Sequence, residues 1–73
     1  MTDLGIYLAR KSVNKAEVSR RTGISKARMT QLTNNSSTKL TVEEMYRIAL
    51  SIQVDPCDLL TSICEKIVLP GEK

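Results

Sequence analysis

Asn14-Lys-Ala-Glu-Val-Ser-Arg-Arg-Thr-Gly-Ile-Ser-Lys-Ala-Arg-Met-Thr-Gln-Leu32 is the stretch whose reading decides the fold. It divides into two short helices around a tight turn. The first runs from Lys15 to about Thr22, with Asn14 before it as an N-cap whose side-chain oxygen takes an orphan helical N–H. Gly23 follows, the residue best able to enter the left-handed conformation that ends a helix and turns the chain at once. Ile24 faces inward, Ser25 caps again, and Lys26 opens a second helix predicted to reach about Leu32. Two helices joined by a few residues with a glycine form a helix-turn-helix, whose second helix can lie in a DNA major groove.

Charge points the same way. Between Arg10 and Arg28 the chain carries Arg10, Lys11, Lys15, Arg20, Arg21, Lys26 and Arg28 against Glu17 alone, a local balance of +6. The net charge of the whole chain is only +3. A basic segment joined to a mildly acidic remainder is an electrostatic footprint for a polyanion.

The 73 residues allow one domain with one small core, which must be built from aliphatic side chains because Phe and Trp are absent. Aliphatic residues recur at helical spacing with almost no strand-like alternation, so an all-α domain of five helices is expected. No apolar run is long enough to span a membrane, and the first residues lack a signal-peptide pattern, so the protein is expected to be cytosolic. Cys57 and Cys64 are too far apart along one helix, about 10 Å, for a disulfide, and are expected to be buried or interface apolar residues. No histidine is present. Two thiols do not complete a zinc site, and no metal or cofactor is expected. An enzyme is disfavoured, since there is no glycine-rich phosphate loop and no nucleophile–base pair.

In chain order, a first helix is expected over residues 3–11, with Asp3 near its positive end, Arg10 and Lys11 in its last turn, and Leu4 and Leu8 facing the core. In the second helix Val18 is the core anchor, and Ser19 is small where two helices cross. In the third, Met29 and Leu32 point inward, leaving Lys26, Ala27, Arg28, Thr30 and Gln31 outward. Together with Ser25 these are the side-chain types that contact base edges and phosphates. Thr33–Lys39 reads as a polar loop suited to a phosphate, with Lys39 adding charge. Thr41-Val-Glu-Glu44 is a capping box opening a fourth helix, whose buried stripe is Met45, Ile48, Ala49 and Ile52. Asp55-Pro56 caps a fifth helix, with Leu59, Leu60 and Ile63 expected inward. The domain is expected over residues 1–66, followed by a tail at 67–73. Ile67, Val68 and Leu69 cannot all enter one small core, and a self-association surface is favoured over a tail packed on the domain.

These residues resemble the Cro/repressor-type helix-turn-helix regulators, the XRE family of lambda-repressor-like DNA-binding domains. The resemblance is carried by Lys15–Leu32, and supported by Leu40-Thr41, Arg47-Ile-Ala-Leu50 and Val54-Asp55 with Leu59-Leu60. It implies a domain that binds double-stranded DNA as a two-fold dimer. Ser25, Lys26, Ala27, Thr30 and Gln31 fall where the family places groove contacts, with Arg28 among them for a base or a phosphate. Asn14 and Lys15, at the start of the second helix, and Asn35 and Lys39, in the following loop, are the candidates for phosphate. Ser19 departs from the usual alanine. Lys15 departs from the usual bracing glutamine, which favours a purely phosphate role. Leu8 and Thr33 stand where many members pair an arginine with a glutamate. The function implied is that of a sequence-specific transcriptional regulator, a repressor. The alternative is a protein-binding module, such as an antitoxin engaging a toxin, with DNA binding secondary or lost.

Overall fold

The computed structural model describes residues 1–71; the expected tail's last two residues, 72 and 73, lie outside them. Five helices follow in order: α1 Asp3–Arg10, α2 Lys15–Thr22, α3 Lys26–Asn34, α4 Val42–Ser51 and α5 Pro56–Cys64. Among the described residues there is no strand. α1 packs on α3 and α5, and α4 on α2 and α5, so α2 and α3 form one side of the molecule and α5 another.

Each helix begins on a polar side chain that satisfies the first free N–H groups. The Asn14 carboxamide oxygen accepts from the Ala16 and Glu17 backbones, and the Ser25 hydroxyl from Arg28 N–H. Thr41 and Glu44 close a full capping box, and the Asp55 carboxylate accepts from Cys57 N–H with Pro56 in the first turn. α1 is capped by Thr2, with Asp3 in its first turn as expected.

The core is made of Leu4, Tyr7 and Leu8 from α1, Val18, Ile24, Met29, Leu32, the α4 stripe Met45, Ile48 and Ala49, and Leu59. Tyr7 adds a polar tie to this aliphatic interior: its hydroxyl lies 3.0 Å from an Asp58 carboxylate oxygen, joining α1 to α5. Burial, with that carboxylate, pushes the Tyr7 hydroxyl above its ordinary pKa.

Three expectations about packing change. α3 continues past Leu32 to Asn34, because Thr33 is fully buried and its hydroxyl donates back to Met29 O at 2.9 Å. The polar loop therefore starts at Asn35. Leu60 is 45% exposed and not inward, since α5 packs on α1 and α4 along a narrow strip centred on Leu59. Cys57 is exposed and Cys64 only half-buried, so neither thiol is a core residue.

Candidate nucleic-acid interface

The turn between α2 and α3 is held by short-range bonds that the sequence demands. Gly23 has φ +79°, the left-handed value at which a side chain is disfavoured, and its N–H donates to Ser19 O at 3.0 Å. The Ser19 hydroxyl donates to the Ile24 carbonyl within the crossing, and Thr22 Oγ1 accepts from Ile24 N–H at 3.2 Å. Small hydroxyl residues thus pin both sides of the turn. Ser19, buried at this crossing, adds a bond that an alanine could not make.

From that turn α3 presents two faces. Met29, Leu32 and Thr33 face the core, whereas Lys26, Ala27, Thr30 and Gln31 are exposed. Thr30 Oγ1 donates to Lys26 O at 2.9 Å, which leaves its oxygen lone pairs and methyl outward. Ser25 already accepts a capping bond and keeps its hydroxyl proton for a further partner. Among the described residues no carboxylate lies within ion-pair distance of Lys26 or Lys39.

The phosphate candidates lie at the two ends of this surface. Asn14 uses its oxygen for the α2 cap, leaving its amide N–H groups to donate. Asn35 likewise accepts from the Ser37 backbone and hydroxyl, at 3.0 and 2.7 Å, which shapes the loop from inside. Lys39 is exposed. Lys15 is more than a surface charge. Its ammonium donates to Thr33 Oγ1 at 3.4 Å, reaching from the first residue of α2 to the last turn of α3, which carries no basic residue of its own. A cation there complements the helix dipole, so Lys15 braces α3 where a phosphate role alone was expected.

Arg28 differs most from its expected place. It turns from the outward face toward α4: Nε lies 2.9 Å from Glu44 Oε2, and Nη2 3.0 Å from Glu44 Oε1 and 2.8 Å from the Lys39 carbonyl. Glu44 Oε1 also accepts from Thr41 N–H and Oγ1 at 3.0 and 3.1 Å. The Arg28 guanidinium, with the Thr41 bonds, holds the Glu44 carboxyl at about 2, below the usual carboxylate range. The basic residues behind the turn are also occupied. Arg20 pairs with Glu17, and Arg21 Nη1 donates to Ser51 O at 2.8 Å at the end of α4. Among the described residues, the footprint read from composition thus includes Lys26, which like Lys39 beyond it has no carboxylate partner, and Arg21 and Arg28, which tie α2 and α3 to other segments.

A sequence profile of the Cro/C1-type HTH DNA-binding domain matches residues 3–65, from the first residue of α1 to just past α5. The chain belongs to this family. No curated protein and no solved structure matches it. Membership makes the Cro/C1-type domain a DNA-binding one, and the exposed polar face of α3 after the glycine turn is the feature of its structure that suits that role. None of its helices is long and apolar enough to cross a membrane among the described residues. Sequence reading missed that Glu44 would engage α3 through Arg28. The [ST]-x-x-E spacing did place Glu44 at its cap, but nothing in that local pattern signals an arginine sixteen residues earlier.

Proposed function

We propose that this Cro/C1-type domain is a sequence-specific regulator, a repressor that occupies a two-fold operator as a dimer and blocks transcription. The observation that carries the reading is the α3 face on which Lys26, Ala27, Thr30 and Gln31 stand exposed, with Ser25 at its start. Amide, ammonium, hydroxyl and methyl groups on one helix face supply the donors, acceptors and apolar contact that a major groove distinguishes. Asn14, Lys15, Asn35 and Lys39 flank that face as phosphate contacts, which fix register but carry no sequence information.

One short helix touches too few base pairs for selectivity in a genome, and a dimer reading two half-sites about 34 Å apart removes that limit. The surface for the second copy is the apolar groove between residues 36–42 and the end of α5, lined by Leu40, Val42, Leu60, Ile63 and Ile67. It continues into the exposed Val68 and Leu69. This groove leaves the α3 face free. The same apolar surface supports the second reading, a protein partner such as a toxin.

Selection from a randomised duplex pool tests the reading. Enrichment of two related half-sites in inverted orientation, one helical turn apart, is expected. An unenriched pool, with the chain still folded, would overturn it in favour of the protein partner.

A further inference from the structure

Arg28 has the side chain best suited to reading guanine, and it stands on the reading helix. Donor bookkeeping says otherwise. A guanidinium has two forks: Nε–H with one Nη2–H, and the other Nη2–H with an Nη1–H. The first fork is closed on Glu44, with Nε to Oε2 at 2.9 Å and Nη2 to Oε1 at 3.0 Å. The second has lost its Nη2 member to the Lys39 carbonyl at 2.8 Å. No intact fork is left for a base or a phosphate.

Its partner does not follow it outward either. Glu44 is held from behind by Thr41 N–H and Oγ1, and its side chain is only 19% exposed, against 35% for Arg28. We propose that Glu44 withholds Arg28 from DNA and uses it as a positioning residue. It ties the first turn of α3 to the carbonyl of Lys39, so that the base-reading face and the phosphate-contacting loop move as one body. This rests on the DNA-reading role proposed above.

Two consequences for specificity follow. A free arginine beside the groove would bind phosphates of any sequence, raising non-specific affinity and lowering discrimination. A loop anchored through Arg28 sets the distance between the Lys39 ammonium and the edges of Thr30 and Gln31, and misplacing either group weakens both. Glu44 is therefore a specificity determinant that touches no DNA.

The test is an anisotropy titration over a salt series, with one mixed-sequence duplex and one duplex selected from the randomised pool. Glu44→Gln keeps the capping box, since glutamine serves at that position, but removes the charge that holds Arg28. It should bind the mixed duplex more tightly, steepen the salt slope by roughly 1, and cut the preference for the selected duplex about tenfold. Arg28→Gln with Glu44→Gln should return the slope to the wild-type value while the preference stays reduced. Thermal melts confirm that each variant is folded. If the double variant loses roughly 1 from the wild-type slope, Arg28 is a phosphate contact and the proposal is overturned. The same holds if Glu44→Gln changes neither slope nor preference, or if Arg28→Gln alone erases preference at a single base pair. A wild-type chain that prefers no duplex would remove the operator reading, while the slopes on the mixed duplex would still decide what Arg28 does.

Discussion

Thr2 Oγ1 lies 2.7 Å from the Leu32 carbonyl oxygen, so the residue that opens α1 also closes α3. The same hydroxyl oxygen accepts from Gly5 N–H at 3.1 Å, and Thr2 N–H donates to Thr33 O at 2.9 Å. The last carbonyls of a helix have no partner within it. Here a residue thirty positions earlier supplies two donors, which fixes the far end of α3 on α1.

That junction leaves no room for a side chain at Gly5. A Cβ there would run into the Thr33 carbonyl oxygen and the Met1 side chain. Gly5→Ala is expected to destabilise the fold by about 1–3 kcal/mol, the usual range for overpacking, because a backbone carbonyl cannot swing aside. Thr2→Val should cost about 1 kcal/mol through the lost cap. Urea unfolding measures both, and an alanine at Gly5 that leaves the midpoint unmoved would contradict this account of the contact.

Acid should act through Glu44. Its folded-state value of about 2 lies below the ordinary 4.5, so the unfolded chain takes up its proton first. The contribution is complete above 4.5 and is lost as pH falls through the folded value of about 2. The urea midpoint of the wild type should fall across that window, and that of Glu44→Gln should fall less. Glu17, also lowered by its Arg20 partner, keeps part of the slope in both proteins. Parallel curves for the two would place the acid sensitivity elsewhere.

Gln31 is exposed on the outward face of α3. Gln31→Ala should leave the melting temperature in place and relax preference at one base pair by about 1–3 kcal/mol of discrimination. Titration against single-substitution duplexes measures it. A uniform loss over all of them would make Gln31 a phosphate contact.

For Lys39 the opposite signature is expected. Lys39→Ala should weaken binding about equally for every duplex and lower the salt slope by roughly 1. A loss confined to the preferred sequence would overturn that assignment.

The proposed dimer face has its own test. Leu60 is 45% and Val68 58% exposed, and a carboxylate at either would be buried if two copies meet there. Leu60→Asp and Val68→Asp should shift the monomer–dimer equilibrium by tenfold or more toward monomer in sedimentation equilibrium, with helicity retained. Unchanged association would move the interface to another face.

What the sequence disclosed was local. Asn14, Ser25, Thr41 and Asp55 all cap as their spacing suggests, because a cap's partner lies two or three residues away. Gly23 and the α4 stripe were legible for the same reason, Met45, Ile48 and Ala49 being buried and Ile52, at the C-cap, only partly buried against the core. What stayed hidden depends on partners far along the chain. Thr2 caps α3 across thirty residues, and Arg28 finds Glu44 across sixteen. Composition could place basic residues around the turn, but it could not say which charges are consumed inside the fold. Leu60 shows the remaining gap: periodicity marks it apolar, and only the packing of α5 shows how narrow its buried strip is.

The central claim is that the exposed face of α3 reads DNA sequence. Its most direct test is a fluorescence-anisotropy titration of the full chain, at several salt concentrations, against the DNA upstream of its own gene and a scrambled duplex of equal length. The account predicts tight, steeply salt-dependent binding that prefers the upstream DNA by about 10³ or more. Equal and weak binding to both would contradict it and leave the apolar groove beside α5, with a protein partner, as the functional surface.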